Sequence, residues 1–146
     1  MTKNSVLTIG TFDGLHLGHQ TLLQRVREIS TAEGLQSVVL SYKDHPAFVL
    51  RVHPLPKMLC PAVLKERELK NLGIERVELL NFTSELAKTP PLKFLQEYII
   101  PQFQPKVIVM GYDSHFGHLR QGNYQFLCKH SGELGYRVEY VEPLLF

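Results

Sequence analysis

Short apolar runs alternate along the chain with longer stretches in which apolar residues return every three or four positions. Residues 6–9, 37–42, 76–80, 106–110 and 136–141 are runs of the first kind. Their contiguous aliphatic residues, such as Val38-Val39-Leu40, predict strands buried on both faces. Residues 21–32 carry Leu22, Val26 and Ile29 at helical spacing, with Gln24, Arg25, Arg27 and Glu28 on the remaining faces. Residues 61–72, 91–103 and 123–134 read as further helices, the second of these with proline in its first turn. Glycines at 34, 73 and 135 close three of the four helices.

The resulting order, strand and helix in strict alternation, predicts an α/β fold. It is a Rossmann-like parallel sheet with helices on both faces, because right-handed crossovers leave few other topologies. In such sheets ligands collect at the carboxyl ends of the strands. Three stretches leave those ends without strand or helix pattern: residues 10–19, 42–52 and 111–122. Residues 53–61 hold three prolines and read as an irregular loop within one domain.

Composition narrows the function. Sixteen Lys and Arg against fourteen Asp and Glu, with no basic run, argue against a nucleic-acid partner. No apolar stretch is long enough to span a bilayer, and residues 6–9 are too short for a signal-peptide core, so no membrane partner and a cytoplasmic location are the expectations. Cys60 and Cys128 form no spaced pair and read as reduced thiols.

The richest segment is Gly10-Thr11-Phe12-Asp13-Gly14-Leu15-His16-Leu17-Gly18-His19, between the first strand and the first helix. Unpaired backbone N–H groups and the positive helix end favour a phosphate there. Glycines let the backbone approach an anion closely. A helix starting near Leu15 would put His16 and His19, three apart, on one side of its first turn. Two imidazoles there can donate to the oxygens of a transferring phosphoryl group, a chemistry that needs positioning and charge stabilisation and no protein nucleophile. Zinc ligation by the same pair is the alternative, with no third ligand at a convincing spacing. Asp13 reads equally as a helix cap.

This segment resembles the His-x-Gly-His signature of the nucleotidylyltransferase superfamily, and Phe12-Asp13-Gly14 followed by an apolar residue and His16 is most similar to the prokaryotic FAD synthetases. Polyol-phosphate cytidylyltransferases share Gly-Thr-Phe-Asp but usually carry a bulky residue where Gly14 stands. The resemblance implies that His16 and His19 are catalytic, and that ATP is bound by Gly10, Thr11, Phe12, Asp13, Gly14, His16, Gly18 and His19. Tyr42-Lys43-Asp44-His45-Pro46 is similar to the family's Phe-x-Pro-His-Pro element, with Asp44 in place of its first proline. Gly111-Tyr112-Asp113-Ser114-His115-Phe116-Gly117 is similar to its Gly-x-Asp/Asn-Phe-x-Phe-Gly stretch, with Ser114 replacing an aromatic. These imply flavin contacts from Tyr42, Asp44, His45, Pro46, Asp113, Phe116 and Gly117. Arg120 reads either as a phosphate contact or as surface charge.

The resemblance covers essentially all 146 residues. It implies an FMN adenylyltransferase that joins FMN to the AMP of ATP, with Mg²⁺ accompanying ATP and no metal ligand assignable. Relatives usually continue into a Ser-Ser-Thr-x-x-Arg element and a riboflavin kinase domain. This sequence closes at Pro143-Leu144-Leu145-Phe146. One adenylyltransferase domain over 1–146, cut before that element, is therefore the expectation, with a C-terminal kinase domain in a full-length protein. The rival readings are a cytidylyltransferase of the same superfamily and a nucleotide- or flavin-binding module with impaired catalysis.

Overall fold

A computed structural model describes residues 4–10, 12, 17–43, 62–81, 83–111 and 122–142. In chain order its elements are β1 (Ser5–Ile9), α1 (Leu17–Glu33), β2 (Gln36–Tyr42), α2 (Ala62–Asn71), β3 (Arg76–Leu80), α3 (Ser84–Lys88), α4 (Pro91–Phe94), α5 (Ile100–Phe103), β4 (Pro105–Met110), α6 (Tyr124–Leu134) and β5 (Arg137–Tyr140). The five strands form one parallel sheet in the order β3-β2-β1-β4-β5. The expected α/β sandwich is present, with strand limits within a residue or so of those read from the apolar runs.

Contiguous apolar runs are needed because both faces are covered. Alternate residues of the central strands point to opposite faces. Val6, Val39, Val107 and Val109 pack with Leu22, Leu23, Val26 and Ile29 of α1 and Leu69 of α2. Leu7, Ile9, Val38, Leu40, Ile108 and Met110 pack with Phe94, Leu95, Ile99, Phe103 and Leu127 on the other face. Each such side chain contributes about 1.5–3 kcal/mol by leaving water. The first two crossovers thus lie on one face and the next two on the other.

Two features depart from the sequence pattern. Residues 84–88 form the short helix α3, capped by Thr83, whose Oγ1 accepts from the Leu86 N–H at 3.0 Å. The helix over 91–103 is also not uniform, because α4 and α5 are joined by a π-helical turn, Leu95–Ile99. Pro101 lies one residue beyond Ile100, whose N–H reaches back to the Leu95 carbonyl. A proline ring crowds the carbonyl four residues back and has no N–H to offer it. Widening the preceding turn relieves that crowding without ending the helix.

The edge strand β5 is fastened to α1 by charge. Arg25 grips Glu139 with Nε at 2.9 Å and Nη2 at 3.2 Å, and Arg137 grips both oxygens of Glu33. The Arg137 hydrogen bonds hold the Glu33 carboxyl below its ordinary value. Tyr136 adds a hydroxyl bond to the Leu127 carbonyl at 2.7 Å, tying the start of β5 to α6.

Two helix-ending glycines separate backbone strain from steric clash. Gly34 has φ +68 and open space where a Cβ would sit, whereas Gly73 has φ +96 and would place a Cβ 2.8 Å from Arg27 Nε. Gly34→Ala is expected to cost about 1 kcal/mol, the left-handed penalty alone. Gly73→Ala is expected to cost roughly 1–3 kcal/mol, because strain and the Arg27 contact combine. Urea denaturation midpoints of the two variants check the order.

Candidate active site

The chain runs from β1 to β2 to β3 on one side, then returns to place β4 on the other side of β1. The strand order therefore reverses at β1, and the crevice at the carboxyl ends of β1 and β4 is the topological switch point, where such folds bind ligands. Because all five strands are parallel, the segments that follow Ile9, Tyr42, Leu80 and Met110 leave from this same edge of the sheet.

The tip of β1 is tightly built. The Gly10 N–H donates to the Leu40 carbonyl of β2 at 3.1 Å. Phe12 then adopts φ +52, rare for a bulky residue, with its side chain 1% exposed in the core beneath α1. A Cβ on Gly10 would lie 3.1 Å from the Phe12 ring, so the ring needs a glycine two residues earlier. The backbone strain at Phe12, of the order of 1–3 kcal/mol, is held by the burial of that ring. The expected ATP-binding role of Phe12 therefore rests on its backbone, since its side chain is committed to the core. Residues 17–19 form the described start of α1, which puts Gly18 and the backbone of His19 in its first turn. Thr11, Asp13, Gly14 and His16 lie outside the described residues, as does the side chain of His19.

At the tip of β2 the Lys43 N–H donates to the Leu80 carbonyl at 2.7 Å. Tyr42 is buried, and loss of solvent pushes its phenol up to about 12. Asp44, His45 and Pro46 lie outside the described residues. So do Asp113, Phe116, Gly117 and Arg120, although the ends of their segment are described. Met110 accepts from the Val141 N–H at 2.8 Å, and Asn123 caps α6 by accepting from the Phe126 N–H at 2.9 Å.

Two features at this edge escaped the sequence reading. Lys65 of α2 is 1% exposed, and its Nζ donates to the Tyr42 carbonyl at 2.9 Å. Its signal was available: Lys65 stands four residues before Leu69, on the helix stripe that faces the core. The second is a pocket of about 320 Å³ beside the tip of β3, bordered by Leu80, Asn81, Leu86, Phe94, Glu97 and Tyr98. The Phe94 and Tyr98 rings stack at 5.2 Å along the α4 and π-helical face. Their i, i+4 spacing was legible, but a pocket between them and β3 was not, because α3 was unexpected. Among the described residues no three His, Cys, Asp or Glu side chains gather as a metal site, and no helix is long and apolar enough to cross a membrane.

A family profile described as FAD synthetase matches residues 1–145. The chain belongs to the FAD synthetase family. Its relatives include bifunctional riboflavin kinase/FMN adenylyltransferases. The one from Listeria monocytogenes is 30% identical over 88% of this chain and 41% of its own length. The one from Bacillus subtilis is 32% identical over 81% and 37%. That of Escherichia coli K12 is 29% identical over 93% and 44%. The chain thus spans less than half the length of these curated relatives. A solved structure from Streptococcus pneumoniae, titled a macrolide-efflux protein, superposes with a TM-score of 0.80 at 26% identity, over all of this chain and 48% of that one.

Two measurements test the strand tips of this family member. Tyr42 has a folded pKa above its unfolded value of 10.0. Its contribution to stability is therefore complete below pH 10 and drains as pH rises towards 12, a loss on the order of 2–3 kcal/mol. Denaturation at pH 9 and pH 12 reads it, and Tyr42→Phe should remove that part of the alkaline loss. Phe12→Ala should cost about 3–5 kcal/mol in chemical denaturation, as expected for a buried ring.

Proposed function

We propose that this chain is an FMN adenylyltransferase, making FAD and pyrophosphate from FMN and ATP. The observation that carries the reading is positional. The segment Gly10 to His19, with its His-x-Gly-His pattern, joins β1 to the first turn of α1 beside the switch point of the sheet. A helix start, whose first N–H groups have no intrahelical partner, suits a polyphosphate. The family match over residues 1–145 and the adenylyltransferase relatives support the same substrates.

In this reading a phosphate oxygen of FMN attacks the α-phosphorus of ATP in line. The bond from that phosphorus to the bridging oxygen of the β-phosphate breaks, and pyrophosphate carries the electron pair away. His16 and His19 donate hydrogen bonds to the oxygens that gain charge. Mg²⁺, if carried in by ATP, would offset phosphate charge, and no residue is assigned to hold it. No covalent enzyme intermediate forms. The flavin lies towards the tips of β2 and β4, against the segments that begin at Tyr42 and Gly111. Asp44, His45, Pro46, Asp113, Phe116 and Gly117 are its assigned contacts with Tyr42. A riboflavin kinase domain, as in the relatives, is the partner in a longer protein and would supply FMN.

The test is FAD formation from FMN and Mg-ATP with pyrophosphatase present, followed by chromatography. His16→Ala combined with His19→Ala should lower the rate at least about 100-fold, the scale of lost transition-state donors. A rate within a few-fold of the parent would remove both histidines from the chemistry. Turnover of CTP with a polyol phosphate, and none with FMN, would replace the flavin assignment.

A further inference from the structure

A fully buried lysine on the core face of a helix is costly, because an ammonium gives up its water there. Lys65 occupies such a position in α2, one turn before the buried Leu69. Leucine or methionine would fill the same space without that cost. Core packing alone therefore gives no reason for lysine.

The contacts of its Nζ point to a reason. It donates to the Tyr42 carbonyl at 2.9 Å and lies 3.5 Å from Ser41 Oγ. Tyr42 is the last residue of β2, and the next N–H, that of Lys43, is taken by the Leu80 carbonyl of β3. The last carbonyl of the strand and the first N–H beyond it are thus both held, one by Lys65 and the other by the neighbouring strand. Two such anchors on the opposite sides of one peptide group, the one that joins Tyr42 to Lys43, fix its plane and so the direction in which the chain leaves β2.

We propose that Lys65 is a positioning residue. Its ammonium sets the tip of β2, and through it the orientation of Tyr42 at the flavin side of the site; the flavin part of this inference rests on the function proposed above. The effect of Lys65 passes through the Tyr42 peptide.

The experiment compares wild-type protein, Lys65→Met and Lys65→Gln in two assays. In amide hydrogen exchange, Lys65→Met should speed exchange at residues 41–43 about tenfold or more, with amides of β1 and β4 unchanged. Lys65→Gln, which keeps a donor, should restore part of the protection. In the second assay, quenching of flavin fluorescence should show FMN affinity reduced about tenfold in Lys65→Met, with ATP affinity within about twofold of wild type. Thermal melting should show Lys65→Met at least as stable as wild type, which a merely structural lysine would not allow. Unchanged exchange at residues 41–43, or equal losses for FMN and ATP, overturns the positioning role. If Lys65→Met does not fold, Lys65→Gln alone decides: a smaller but selective rise in exchange at residues 41–43, with FMN affinity reduced more than ATP affinity, supports the role, and no selective change in either overturns it. Wild-type protein that leaves FMN fluorescence untouched overturns the flavin reading instead, while the exchange comparison still decides what Lys65 holds.

Discussion

Everything at the candidate site depends on how the chain is allowed to leave β1. That strand is paired on both sides, by β2 and β4, and covered on both faces by apolar side chains. Its backbone is spent in ladders with both neighbours. The first place where the main chain escapes the ladder is Gly10, and the escape is narrow. Its N–H is still held by Leu40, and the Phe12 ring packs back into the core at a backbone angle that a bulky residue seldom adopts. The core therefore holds the turn from which the His-x-Gly-His segment departs. A ring buried beneath α1 serves as a clamp on a loop, and its burial offsets the strain of the turn it fixes.

A sheet buried on both faces leaves only its two ends for chemistry, and parallel strands make those ends unequal. At the carboxyl end, strands hand over to helix starts, whose N–H groups are unpaired. The order β3-β2-β1-β4-β5 adds a gap there, since the crossovers from β1 and β4 go to opposite faces. Motif and topology thus agree on one location for independent reasons. The first follows from residue types, and the second from strand order, which no single motif encodes. The neighbouring strand tips are fixed by polar contacts of their own, from Lys43 to Leu80 and from Val141 to Met110. These contacts set where three separate segments begin.

Much of the fold was legible because a strand covered on both faces can carry only apolar side chains along most of its length. The runs at Val38-Val39-Leu40 and Val107-Ile108-Val109 could hardly be anything else. Helix ends were legible where glycine had to supply a positive φ, as at Gly34 and Gly73. What escaped depends on contacts between distant residues. Residues 84–88 have too few apolar positions for a periodicity, and none of them is buried, so α3 shows in sequence only as the Thr83 cap. The π-helical turn before Pro101 was hidden because proline could equally have ended the helix. In the site, the histidine and glycine segment declared itself through residue types at fixed spacing. Lys65 did not, because a lysine in a helix reads as solvated surface until the stripe it stands on is known to be buried.

The buried polar groups at this edge bear on how stability and function are divided. Along the sheet most buried side chains are aliphatic and need no partner, the small hydroxyl residues Ser5, Thr8 and Ser37 being the exceptions. At the tip of β2 the pattern changes within two residues to Ser41, Tyr42 and a lysine from α2, all removed from solvent. A fold selected for stability alone would continue the aliphatic pattern to the end of the strand, since each polar group taken from water must recover its hydration through hydrogen bonds. The change occurs at the edge where the crevice and the pocket beside β3 also lie. Polar contacts are directional where apolar ones are not, so they can fix the path of a main chain to a fraction of an ångström. That property has little value in the middle of a sheet, where the ladder already sets the backbone. It has value at a strand tip, where the ladder ends and the chain must still arrive at one place.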